Sequence, residues 1–391
     1  MIRAGNGLIL AVLALLVFGV VMVTSAGLTV GQETPLTIKQ IVLGRTTILA
    51  LAAFAAMLIA AALPLKRIQA HIGNRSMLVI VTCLFALLLL VFVPGLGRSV
   101  NGARRWIEIG PIGFQPSEVA KWTVIMFIAW FAARNVKSLH RFTTGSLLPM
   151  ILVMLICGLI ALEDLGTAVL IAVTTLMMLL IAGAPWKHVL AVGPIAIVGF
   201  FAALIASPYR IERLRAFIDP YQDPEGIGYH VIQSVAAVGG GGLAGRGLGH
   251  SIQKFGYLPE DTTDFVFAII CEELGLLGCL AVIGLYLLLL GCGLAIVKRT
   301  SDLMLRLLGI GILLCIAIQA SMNMLVVTGM VPTKGIALPL LSAGGTGWIL
   351  TAFCLGLIVA IERCCETTRS KAISSQSSTF EPEEQSLAQG A

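Results

Sequence analysis

The 391-residue chain is predicted to be an all-α polytopic membrane protein, with about ten transmembrane helices and a large extracytoplasmic loop between helices seven and eight. Three observations predict this. Hydrophobic residues make up 58% of the chain and charged residues 12%, against about 25% charged in an ordinary soluble domain. Mean hydropathy is +0.98. The apolar residues also come in runs of about 20, the length at which a helix crosses hydrocarbon with every backbone group satisfied. A net charge of +6, spread through the loops, gives no basic face for nucleic acid.

In chain order, the runs place spans at 7–28, 46–64, 77–95, 117–133, 146–162, 165–183, 188–206, 272–297, 304–327 and 347–362. The first is too long, and lacks the small-residue cleavage site, for a removable signal peptide. Only Glu163 and Asp164 separate the fifth from the sixth. Residues 96–116 form a medium outer loop, and 207–263 a long one rich in glycine, proline and charge. Beyond Arg369 the chain turns to serine, glutamate and glutamine, too polar to fold alone. The expected organisation is one transmembrane domain over 1–368 and a disordered cytoplasmic tail over 369–391.

Lysine and arginine set the orientation. With the N-terminus inside, the inner segments hold fourteen, from Arg3 through Lys66, Arg134, Lys187 and Lys298 to Lys371. The short outer loops hold six, namely Lys39, Arg45, Arg98, Arg104, Arg105 and Lys334. Both termini are therefore expected in the cytoplasm. Seven of the nine cysteines lie in or beside apolar runs, where cysteine acts as a small hydrophobe. The Cys364-Cys365 pair follows the last run, at a place where lipidation is conceivable. No metal, disulfide or cofactor spacing is visible.

Ionisable residues near membrane depth are costly and so mark functional candidates. Asp164 follows Glu163 at the start of an apolar run, and Glu118 and Lys121 stand one helical turn apart, the spacing of a local ion pair. Glu272 and Glu273 interrupt the run that begins at Phe265. Each also fits capping or pairing at a membrane interface. The long loop opens with SPYRIERLRAFIDP, whose Arg210, Arg213 and Arg215 suit either lipid headgroups or a phosphate-bearing substrate. Next comes VGGGGLAGRGLG, with seven glycines between 239 and 249. Its amides could face an anion, although no Walker frame surrounds it. Glu260, Asp261 and Asp264 then stand directly before an apolar run, where shelter from water would raise a carboxyl pKa toward that of a general base. Lys254 and the arginines are placed to steady an anionic substrate.

Together these segments resemble the SEDS family (shape, elongation, division and sporulation), of which FtsW and RodA are the familiar members. The matching runs are NGARRWIEIGPIGFQPSEVAK at 101–121, EDLGTAVL at 163–170 and YRIERLRAFIDPYQDPEGIGYHVIQS at 209–234. GGLAGRGLGHSIQKFGYLPEDTTDFVFAIICEELG at 241–275 and VVTGMVPTKGIALPLLSAGG at 326–345 complete them. The PTKG form around Lys334 is more similar to the FtsW division branch. Four positions depart from the usual pattern, at Glu163, His230, Thr262 and Ala343.

The resemblance implies a bacterial cytoplasmic-membrane peptidoglycan glycosyltransferase that polymerises lipid II, a disaccharide-pentapeptide on undecaprenyl pyrophosphate. It implies inversion at the anomeric carbon, with Asp264 in the family's essential acidic position as general base. Arg105, Glu118, Lys121, Arg210, Arg213, Lys254, Glu260 and Lys334 are the expected substrate-binding residues. No cofactor is evident, and a divalent cation is left open as a further source of positive charge. A single-pass class B penicillin-binding protein is the expected partner, with other division or elongation proteins. A lipid II flippase and a non-catalytic division scaffold stand as alternatives.

Overall fold

The computed structural model describes residues 3–27, 43–93, 96–100, 103–109, 112–255, 257–343 and 345–366. Lys39 and the polar tail from residue 367 lie outside the described residues. All ten apolar runs form helices. They are α1 (Ala4–Ala26), α2 (Arg45–Ala62), α4 (Asn74–Leu89), α5 (Pro116–Arg134), α6 (Leu147–Glu163), α7 (Leu165–Ile181), α8 (Trp186–Ile205), α11 (Val266–Lys298), α12 (Leu303–Val327) and α13 (Thr346–Glu366). Among the described residues, eight helices are long and apolar enough to cross a membrane. Two of the eight count short flanking turns, Leu90–Phe92 after α4 and Phe142–Ser146 before α6. The other two runs differ from these for physical reasons. α7 has 17 residues, and α5 carries Glu118 and Lys121 in its first two turns. The protein is thus a helical, multi-pass membrane protein.

Helix boundaries follow local chemistry. Asp164 caps α7, its Oδ1 accepting from the Thr167 N–H at 3.0 Å, so the Glu163-Asp164 break divides α6 from α7. Asp302 caps α12 in the same way through the Leu305 N–H at 3.0 Å. Pro116 opens α5, where its missing N–H costs nothing. α12 is the most enclosed of the eight and packs against α5, α7 and α11, while α1 lies along α11. α8 is peripheral, with only 11% of its apolar window buried.

The loops hold structure that hydropathy alone does not predict. A short α3 (Leu65–His71) joins α2 to α4. Before α5 lies an antiparallel sheet of β1 (Gly97–Val100), β2 (Ala103–Ile109) and β3 (Ile112–Phe114), with Ile107 opposite both Gly97 and Phe114. Along β2, Ile107 is buried and Arg104 exposed, and the register shifts between Arg98 and Ser99, which face Trp106 and Arg104. The 207–263 loop carries α9 (Pro208–Ile218) and α10 (Tyr229–Gly240).

The predicted span at 272–297 is longer and broken. α11 begins at Val266 and kinks at Gly275, whose φ of 63° and ψ of −156° are not helical. The kink removes the bonds that Leu276 and Leu277 would make to the carbonyls of Glu272 and Glu273, four residues back. The glycine-rich loop replaces both halves of each. The Arg246 and Gly247 N–H groups donate to Glu272 O at 3.0 Å and Glu273 O at 2.9 Å. Gly242 O and Leu243 O accept from the Leu276 and Leu277 N–H groups at 3.0 and 3.3 Å. Such an approach of backbone to backbone needs glycine. A Cβ on Gly245 (φ 79°) would sit 2.1 Å from Glu273 O, and one on Gly241 would sit 1.9 Å from Cys271 O.

Candidate functional site

Asp264 ends the long loop, one residue before the Phe265 cap of α11. A tight turn presents it: Glu260 adopts φ 59°, and its carbonyl accepts the Thr263 and Phe265 N–H groups, each at 3.2 Å. α12 holds the turn from below. The Asn323 amide donates to Asp264 O and to Ile336 O, both at 2.8 Å, tying the turn to the 333–341 segment. Gly335 leaves room for the carboxylate. A Cβ there would lie 3.0 Å from Asp264 Oδ2 and 3.7 Å from Arg105 Nη1. Burial pushes the Asp264 carboxyl up to about 7, reinforced by Glu260 and Asp164 and opposed by Arg105 and Arg213. Burial likewise raises Asp261 to about 6, with the Thr262 backbone N–H opposing.

A second carboxylate shares Arg105. Asp164 is buried, accepts the Thr167 hydroxyl at 2.8 Å, and lies 3.7 Å from Arg105 Nη1. Arg105 is aimed by the sheet, because Glu163 Oε2 accepts the neighbouring Arg104 N–H at 2.7 Å and pins β2 to the α6–α7 junction. Lys334 is half-buried, and its ammonium pKa is lowered by burial, with Asp164 opposing. Arg213 reaches from α9 to Thr333 O at 3.2 Å and lies 4.5 Å over the Tyr209 ring. Arg105, Arg213, Lys334, Glu260 and Asp264 therefore share one neighbourhood. His230 adjoins it, its ring stacked on Phe265 at 6.0 Å. Burial lowers its pKa, as does Arg213, while Glu260 opposes.

The other expected substrate-binding residues stand elsewhere. Arg210 donates to three carbonyls, Ala203 O and Ala161 O at 2.7 Å and Leu162 O at 2.8 Å, bracing the ends of α6 and α8. Its field still reaches the cluster through Asp164, Glu163 and Arg105. Lys121 is 1% exposed and bonds Glu118 at 2.9 Å and Gln319 Oε1 at 2.9 Å. Gln319 in turn donates to Ala337 O at 2.8 Å. Through Gln319 the Glu118–Lys121 pair supports the Ala337 carbonyl, apart from Asp264. Lys254 is buried in a separate cluster, its ammonium bonded to Glu273 at 3.1 Å, Ser25 O at 3.2 Å and Gly249 O at 2.7 Å. Glu272 completes that cluster with the Ser251 hydroxyl at 2.5 Å and Arg246 at 3.5 Å. The glycine-loop amides of Arg246 and Gly247 are committed to α11 and do not form an anion cradle.

Asn323, Gln319, Thr167 and Gly335 were not among the expected site residues. Their signal was present in part, since Gln319 and Asn323 are polar at i and i+4 within an apolar run. Among the described residues, no group of three or more His, Cys, Asp or Glu side chains is arranged to hold a metal ion.

A model of the FtsW/RodA/SpoVE family, described as cell cycle proteins, matches residues 6–367. The chain is 37% identical over 355 residues to a probable peptidoglycan glycosyltransferase FtsW of Trichlorobacter lovleyi, covering 90% of this chain and 92% of that one. It is 41% identical over 290 residues to stage V sporulation protein E of Bacillus subtilis, covering 74% and 79%. Among solved structures, a chain from work on the structural coordination of polymerization and crosslinking by a peptidoglycan synthase complex superposes with a TM-score of 0.64. It is 28% identical, with 92% of this chain and 97% of that chain covered. The rod shape determining protein RodA of Thermus thermophilus gives 0.58 at 28% identity, covering 91% and 96%.

Proposed function

The chain belongs to the FtsW/RodA/SpoVE family, and from that premise we propose that it is a peptidoglycan glycosyltransferase polymerising lipid II, with Asp264 as general base. The observation that carries this is the setting of Asp264, a carboxyl raised to about 7 and opposed by Arg105 and Arg213. A base works best when its pKa lies near the working pH. Asp264 takes the proton of the acceptor sugar's 4-hydroxyl as that oxygen bonds to the donor's anomeric carbon. The bond from that carbon to the lipid pyrophosphate breaks on the opposite face, and the configuration inverts. The pyrophosphate leaves as an anion toward Arg105, Arg213 and Lys334, whose fixed charges favour the transition state. Asp264 then loses its proton to water.

The expected partner is a single-pass class B penicillin-binding protein, in keeping with the synthase complex to which the fold is similar. The test is polymerisation of labelled lipid II by purified protein with that partner. Asp264→Asn keeps the shape and removes the basic oxygen, so polymer formation should fall about a hundred- to ten-thousandfold. A near wild-type rate would reject Asp264 as the base. Wild-type protein that moves lipid II between leaflets yet makes no polymer would mark a transporter instead.

A further inference from the structure

α11 changes character at its kink. From Val266 to Glu273 every residue is buried in protein, whereas past Gly275 Leu277 is 67% and Leu280 55% exposed. Past the kink, the 23 residues from Leu276 to Lys298 rise about 35 Å at about 1.5 Å each, enough to cross a hydrocarbon core of about 30 Å. Lys298 and Arg299 mark one boundary, because their charges belong in the headgroups. Counting back about 20 residues along the helix puts the other boundary beside Leu276 and Leu277. These are the two residues whose N–H groups bond Gly242 O and Leu243 O. The glycine-rich loop is thereby stitched to α11 at the level where the bilayer begins.

The composition of the loop surface agrees. Between 242 and 255 only two of the exposed side chains, Arg246 and His250, are polar. Leu243 is 75% exposed, Leu248 52%, Ile252 48% and Phe255 40%. A loop facing water would leave this apolar patch uncovered. Irregular backbone near hydrocarbon is tolerated only when its polar groups are satisfied; the four bonds between loop and helix supply part of that, and the Glu272 and Glu273 carboxylates accept the Ser251, Ile252 and Gln253 N–H groups. Arg246 pairs with Glu272 and can reach the phosphate layer, as interfacial arginines do.

We propose that residues 242–255 form an interfacial turn seated in the headgroup and upper acyl layer, with Leu243, Leu248, Ile252 and Phe255 facing lipid. The occupant is the bilayer itself, because the patch continues the lipid-facing surface of α11 through direct backbone pairing. The turn then fixes the height of α11, and with it that of Asp264, relative to the membrane surface.

The test is collision spectroscopy on the full-length protein in phosphatidylcholine–phosphatidylglycerol vesicles. A nitroxide is carried at position 243, and separately at 248, by an encoded residue, so the native cysteines stay. Both positions should collide more with oxygen, which concentrates in lipid, than with a water-soluble nickel chelate. A label at Gln222, exposed in the same long loop, should show the opposite order. Nickel excess at both 243 and 248 would place the turn in water and overturn the proposal. Low collision with both reagents at both positions would mean a protein covers the patch, and would overturn it equally.

Discussion

At the scale of single residues, the site depends on one carboxyl held against its preference for ionisation. Asp264 is raised from an ordinary 3.8 to about 7, so polymerisation should gain with pH through about 7 as the base deprotonates. A rate that is flat from pH 5.5 to 8 would remove Asp264 from the proton-transfer step. The same shift acts on stability with the opposite sign. Between about 4 and 7 the folded state binds more protons here than the unfolded state, so stability falls as pH rises across that window. Asp264→Asn does not titrate, and its melting temperature should exceed the wild type's at pH 8 and converge with it near pH 4. A constant difference across that range would mean that the amide repacks the site rather than relieving a buried charge. The candidacy of Asp264 was legible in the sequence because a charged loop meets an apolar run there. The support beneath it was not, because Asn323 bonds a backbone carbonyl 59 residues away and an amide gives no charge signal.

At the scale of elements, two clusters argue for structure where the sequence suggested ligand chemistry. Lys254 and Glu273 are both 0% exposed and pair at 3.1 Å, and breaking such a pair strands a buried charge at a cost of about 3–5 kcal/mol. Lys254→Met should therefore lower the yield and melting temperature of folded protein. If it folds normally and only the KM for lipid II rises, Lys254 is a substrate contact after all. The glycine loop makes a matching case. Gly245→Ala forces a left-handed backbone, at about 1–3 kcal/mol, and drives a Cβ to 2.1 Å from Glu273 O. It should destabilise strongly, whereas Gly239→Ala, helical and with no atom within 4 Å of the added carbon, should be neutral or slightly stabilising. Equal melting temperatures for the two variants would show that the loop does not clasp α11. The seven glycines were conspicuous in the sequence, but their purpose was hidden. Hydropathy and periodicity describe how one helix buries side chains, and the loop instead completes the broken backbone of another.

At the scale of the whole molecule, the ten apolar runs were legible because hydrocarbon imposes a length that no local preference can evade. The sheet before α5 was not, since its strands of four, seven and three residues are too short to show in a hydropathy window. Orientation is the global property on which the proposed function depends, because polymerising an exported glycan with Asp264 as base would require that residue at the outer face. The fourteen basic residues of the predicted inner segments, against six in the short outer loops, predict that residues 207–263 lie outside. The cluster of Asp264, Arg105, Arg213 and Lys334 belongs to that same end of the bundle, so one measurement orients all of it. With the nine native cysteines replaced, a cysteine at Gln222 should react with a membrane-impermeant thiol reagent in intact spheroplasts. One at Ser377 should react only after lysis. Labelling of Ser377 in intact cells, with Gln222 silent until lysis, would put the site on the cytoplasmic face, where no growing glycan strand could reach it.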